Sequence, residues 1–163
     1  MKRMNLEESL LKYNTNFTNF HKLNLKSAIA NKQPKEFKHM DDLYLKEEAY
    51  KIIGLCMEVH KILGKGHSEI VYGDALEYEL KKNEIPYNRE SKYNIAYKDT
   101  ILPSYYFADF VIFDEIILEL KAIQSLTSGE IRQTLNYLAA SQNKLGLLVN
   151  FGEDSLKYRR IIL

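Results

Sequence analysis

The chain has 163 residues, 45% of them hydrophobic and 28% charged, with a formal net charge of +1. That is the size of one ordinary domain with room for an extension, and no run approaches the ~20 consecutive apolar residues of a membrane helix. A balance this close to neutral also withholds the electrostatic argument for nucleic acid that a strongly basic domain would supply.

The opening stretch, MKRMNLEESL, has acidic residues where a secretory leader needs an apolar core, and the single Cys56 excludes an internal disulfide or a cysteine-based zinc cluster. A cytoplasmic, reducing setting is therefore expected. Residues 1–45 hold 8 basic and 5 acidic side chains, which makes this segment +3 and leaves −2 for residues 46–163. Its apolar residues are thinly spread and Pro34 interrupts it, so we read 1–45 as a polar N-terminal extension and 46–163 as the folded domain. A short amphipathic helix from about Leu6 to Tyr13 is marginal alone, so the core, a protein partner or a second copy in a homodimer would have to hold it.

From Lys46 the apolar residues Ala49, Ile52, Ile53, Met57, Val59 and Leu63 recur near helical spacing and end at the glycines of LGKG, which predicts a helix of about four turns. Ser68 is placed to cap a second helix with its hydroxyl; Val71, Ala75, Leu76 and Leu80 follow, and the helix ends near Asn83. Three segments of strand character come next, Tyr87–Tyr97, Tyr105–Ile112 and Ile116–Ile123, and read as a meander. Thr127 or Ser128 starts another helix with Ile131, Leu135 and Leu138 on one face. LGLLVNF at 145–151 is a strand apolar enough to be covered on both sides, and YRRIIL is a short segment that pairs at an edge. The order gives an α/β fold.

The chemistry lies in FADFVIFDEIILELKAI. In an antiparallel hairpin, facing residues have a constant index sum. The sum that pairs Phe110 with Leu118 and Ile112 with Ile116 also pairs Asp109 with Glu119. It leaves Phe113, Asp114 and Glu115 as the connection, with Asp114 the residue suited to a left-handed backbone. Strand alternation then puts Phe110, Ile112, Ile116, Leu118 and Leu120 on one face, and Asp109, Val111, Ile117, Glu119 and Lys121 on the other. A slip of one residue would separate the two acids. Two carboxylates a few ångströms apart repel unless a hard cation lies between them, and Mg²⁺ binds through one or two carboxylates while keeping water and phosphate oxygens. Asp109 and Glu119 are thus the expected ligands for Mg²⁺, or Mn²⁺, and Lys121 would orient water or stabilise charge on a phosphate. Against this stands the plainer reading of Glu-x-Lys as a solvated surface pair worth ~0–1 kcal/mol. The apolar and aromatic residues flanking both acids favour a buried cluster, where charges need a reason.

The chain resembles the GxxExxY proteins, a branch of the PD-(D/E)XK nuclease superfamily, through Gly66, Glu69 and Tyr72 in GKGHSEIVY. EVHKILG, FADF, LELKA, Gln133 with Tyr137 and Leu138 in RQTLNYL, and GLLVNFG extend the likeness over roughly residues 50–163. It implies a restriction-endonuclease-like αβββαβ core with a mixed central sheet flanked by helices. By position it also implies a site of Glu69, Asp109, Glu119, Lys121 and Gln133, with Glu69 assisting metal or water and Gln133 at the site's edge. Glu69 and Tyr72, three apart on a helix, would face the same site. Ala108 stands where the superfamily's literal motif has proline, and Gly64, Lys65, Gly66 replace a glycine-proline-glycine turn.

Other residues carry less. His60 and His67 lack helical ligand spacing and suit packing or surface roles. Most of the 12 tyrosines belong to core and rim, while Tyr72, Tyr105 and Tyr106 fall near the acids in the hairpin reading. Lys157, Arg159 and Arg160 read as a solvated face. The expected function is a metal-dependent nuclease cleaving DNA or RNA; the alternative is a catalytically silent nuclease-fold domain that binds nucleic acid or a protein partner.

Overall fold

Ala49, Ile52, Ile53, Cys56 and Val59 form the buried stripe of helix α1 (Lys46–Leu63) in the computed structural model, which describes residues 44–163. At 18 residues it runs about five turns, one more than the apolar run from Ala49 to Leu63 suggested. Burial pushes the Cys56 thiol up to about 12, so this side chain is inert core filler. The extension and its Leu6–Tyr13 helix lie outside the described residues.

Helix α2 (Glu69–Lys82) begins at Ser68, but the serine hydroxyl makes no capping bond; its carbonyl accepts from the amides of Val71 at 3.1 Å and Tyr72 at 3.3 Å. Main-chain closure of the first turn replaces the expected side-chain cap. Helix α3 (Ser128–Ser141) is capped as its sequence suggests. Thr127 Oγ1 accepts from the Gly129 amide at 3.0 Å, and the Thr127 amide donates to Glu130 Oε2 at 2.7 Å.

The strands are β1 (Tyr87–Tyr97), β2 (Thr100–Ile112), β3 (Ile116–Lys121), β4 (Leu145–Asn150) and β5 (Lys157–Ile162), joined in that order into one sheet. Only β3 and β4 are parallel; the other pairs are antiparallel, so the sheet is mixed, as expected. Every residue of β4 is buried, and YRRIIL supplies the β5 edge. Strand β2 starts five residues earlier than its apolar content suggested, because pairing with β1 down to Tyr97↔Thr100 holds an exposed, proline-containing segment that has no burial signature. Strand β3 ends at Lys121 rather than Ile123.

The β2–β3 register is Phe110↔Leu118, Val111↔Ile117 and Ile112↔Ile116, the one set by the apolar alternation. Its turn has both Phe113 (φ 57°) and Asp114 (φ 59°) left-handed, with the Glu115 amide donating to the Ile112 carbonyl at 3.2 Å. Phe113 tolerates this because its amide donates to the Pro86 carbonyl at 3.0 Å and its ring packs on the core.

Two apolar clusters sandwich the sheet. Phe110, Ile112, Ile116, Leu118 and Leu120 pack with α1 and α2, while Val111, Ile117 and Leu148 pack with Tyr137 and Leu138 of α3. The alternation reverses once along the first hairpin. Arg89 and Phe110 lie toward α2, whereas Tyr93, Tyr106 and Ala108 pack with the α3 cluster. Between them sit Glu90, with φ 54°, and Asp109, which have no partners although the β1–β2 register is the same on either side of them; it shifts only further out, between Asn94 and Ala96. No helix among the described residues is long and apolar enough to cross a membrane.

Candidate active site

The β2–β3 ladder stops at Phe110↔Leu118, one pair short of the point where Asp109 would face Glu119. Amides left without a strand partner must find acceptors, and here carboxylates serve. The Leu120 amide donates to Asp109 Oδ2 at 2.8 Å, and the Asp109 amide donates to Glu119 Oε1 at 3.3 Å. Each acid thus bridges to the other strand's backbone where the sheet opens.

Glu69 reaches the same opening from the first turn of α2, its Oε1 accepting from the Ala122 amide at 3.1 Å, just past β3. The glycine motif explains how. Gly66 takes φ 107°, a conformation that side chains disfavour, and so lets the chain turn from α1 into α2. Tyr72 is fully buried, stacks on Phe151 with ring centroids 4.4 Å apart, and donates its hydroxyl to the Gly64 carbonyl at 2.7 Å. That hydroxyl also accepts from the His67 amide at 3.2 Å. Tyr72 therefore clamps the turn that positions Glu69 instead of facing the site beside it. Tyr72→Phe would take this partner from the half-buried Gly64 carbonyl and the His67 amide, and urea unfolding should show a loss of about 1 kcal/mol with the fold retained.

Lys121 Nζ lies 3.7 Å from Glu119 Oε2, with both side chains largely shielded. Glu119 is only 1% exposed. Burial first, and then the charge of Asp109, push its carboxyl up to about 8, against smaller opposing effects from Lys121 and the Asp109 amide. Asp109 is raised in the same sense, chiefly by burial, with the Leu120 amide and Lys121 pulling the other way.

Gln133 enters from α3 and donates to Tyr137 Oη at 2.7 Å. Burial, and next the nearby Glu119 charge, push the Tyr137 phenol up to about 12, which places this pair at the α3 side of the acids. Tyr106 packs edge-on against Tyr137, at 5.2 Å between centroids, while Tyr105 is exposed. His60 Nε2 donates to the Glu153 carbonyl at 3.0 Å, and His67 lies edge-on to Tyr72, so neither joins the acids.

One residue that sequence reasoning passed over is Asn150, fully buried and paired with Lys121 across β3 and β4. Its Oδ1 accepts from the amides of Ile123 at 3.0 Å and Gly152 at 3.1 Å, and its Nδ2 donates to the Ile123 carbonyl at 2.9 Å. It ties together the two segments that leave the parallel strands behind Lys121. The signal was a lone amide ending an otherwise apolar strand.

Among the described residues no three His, Cys, Asp or Glu side chains stand close enough to make a ready metal cage, and Glu69, Asp109 and Glu119 are no exception. The donor set nevertheless fits a hard cation. Each of the three carboxylates gives one oxygen to an amide, leaving its second oxygen outside those bonds, and the mutual repulsion that lifts Glu119 is what a divalent charge would relieve.

A family model described as the PD-(D/E)XK nuclease superfamily matches residues 46–161. A solved structure titled "Crystal structure of SSO0001" aligns over 99% of this chain and 79% of its own at 19% identity, with a TM-score of 0.48. No curated protein shows significant similarity to the chain.

Proposed function

The chain belongs to the PD-(D/E)XK nuclease superfamily, and we propose that it hydrolyses phosphodiester bonds of DNA or RNA with Mg²⁺ or Mn²⁺. The observation that carries this reading is Glu119: a buried carboxyl, raised toward neutrality by burial and by Asp109, with an ammonium 3.7 Å away at an opening in the sheet. Accepting the Asp109 amide needs only an oxygen, which a glutamine would give; a buried charge at this position has no structural gain to offset its cost. The Gly66, Glu69 and Tyr72 spacing supports the GxxExxY branch.

In this reading Asp109 and Glu119 hold the cation and Glu69 assists it or its water. A bound divalent cation supplies Lewis-acid polarisation of the phosphate and a more acidic water. Lys121 orients that water or meets charge developing on the phosphate. Gln133, held by Tyr137, borders the substrate.

A second reading, a silent nuclease-fold domain that binds nucleic acid, is favoured by the engagement of all three carboxylates with backbone amides. One experiment separates them. Labelled single- and double-stranded DNA and RNA are incubated with the protein in Mg²⁺, Mn²⁺ or chelator. Cleavage that appears with metal and stops with chelator is the expected result; binding without cleavage in any metal would establish the silent domain.

A further inference from the structure

Beyond Asp109 the β1–β2 hairpin runs on without β3, through Lys92↔Phe107, Tyr93↔Tyr106 and Asn94↔Tyr105, and ends at Tyr97↔Thr100. One side of this arm is covered, since Tyr93 and Tyr106 pack with the α3 cluster. Tyr105 and Phe107 occupy the alternate positions and stay 48% and 47% exposed. Their rings meet edge to face with centroids 5.3 Å apart. Lys92, directly across from Phe107, holds its ammonium 4.1 Å from the Tyr105 ring centroid. Nearer the tip, Lys98 lies 5.4 Å from the centroid of the exposed Tyr97 ring.

Two exposed rings and a cation on one bare strand face are an expensive surface unless something covers them. Phe107 is two residues from Asp109, about 7 Å along the strand, so the arm adjoins the candidate site, with its two rings on the side of the sheet away from α3. We infer that this arm is a stacking platform for the unpaired bases of a single-stranded nucleic acid. Tyr105 and Phe107 would each take a base face, and Lys92 the phosphate between them. Every base has a π-face and every linkage a negative charge, so such a surface is tolerant of sequence. Bases in a duplex are already stacked on one another, and the platform therefore favours single strands. The inference rests on the nuclease reading for its substrate class and narrows it to strands with unpaired bases.

The test is binding in chelator, where no chemistry occurs, using the full chain and a labelled oligothymidylate of about 15 nucleotides. The same strand carrying 2-aminopurine reports stacking by quenching. Tyr105→Ala with Phe107→Ala should weaken binding roughly tenfold or more and abolish the quench. Exchanging the two rings, Tyr105→Phe with Phe107→Tyr, should preserve both. Should the double alanine variant misfold, Phe107→Ala alone gives the same readouts in a milder form. Unchanged affinity in the alanine variants, no single-strand binding by the unsubstituted protein, or equal affinity for a duplex of the same length would each overturn the platform. Single-strand binding of this kind in a protein that never cleaves would sink the nuclease reading and leave the platform standing. Cleavage in Mg²⁺ with ring-independent binding would do the reverse.

Discussion

Lys121→Ala is expected to lower metal-dependent cleavage by about 10²–10³-fold, the usual cost of removing one group that stabilises transition-state charge in a water-poor site. The ammonium lies on the same strand as Glu119, two residues on, with its side chain mostly shielded. A group held there costs no reorganisation when charge develops, and that is where its value lies. The loss should fall on kcat more than on KM, because the interaction strengthens only as the phosphate oxygens gain charge. Initial rates at saturating Mg²⁺ on a labelled strand measure it, with chelator as the zero. A variant that cleaves as fast as the unsubstituted protein would assign the activity to a contaminant.

Glu119→Gln should act in opposite directions on stability and activity. The Glu119 carboxyl sits near 8 in the folded chain against an ordinary 4.5, so between those values the folded state binds more protons than the unfolded one. Stability then falls as pH rises from about 4.5 and is fully lost to this group only above about 8. The cost above that point is on the order of a few kcal/mol, shared with Asp109. Glutamine keeps the shape and an acceptor for the Asp109 amide but carries no charge. Its Tm should therefore exceed that of the unsubstituted protein by roughly 5 °C or more at alkaline pH, with the two converging toward pH 4 to 5. Added Mg²⁺ should raise the Tm of the unsubstituted protein and leave the variant nearly unmoved, since only the charged site gains by binding. Cleavage by the variant should be lost. Thermal melts across pH, with and without Mg²⁺, decide the matter; parallel curves for the two proteins would show that Glu119 carries no buried charge.

Much of this was legible because apolar alternation is a strong constraint. Phe110, Ile112, Ile116 and Leu118 admit one register that buries them all, and it is the register found. The nearly all-apolar β4 and the helix start at Thr127 or Ser128 were equally readable from local residue types. What failed to show was anything set by partners distant in sequence. Thr100–Ser104 belongs to β2 only because β1 pairs with it, and no burial pattern marks it. The reversal at Glu90 and Asp109 breaks the alternation where the sheet opens, and residue types there give no warning. Tyr72, by helical spacing, suited a place beside Glu69; the Gly64 carbonyl and the Phe151 ring claim it instead. That the acids accept backbone amides also follows from the end of a ladder, which composition does not encode.

The amides of Asp109, Leu120 and Ala122 all depend on acids of the cluster as acceptors. Selection for folding alone would then preserve an acceptor at each of these positions in a descendant that had abandoned hydrolysis, although at 119 a glutamine would serve as well as the acid. Lys121 has no such second duty among the described residues, its amine pairing only with Glu119. In comparing related sequences, a retained Asp109 or Glu69 would be weak testimony to an active enzyme, and positions 119 and 121 would be the ones at which inactivity first became visible.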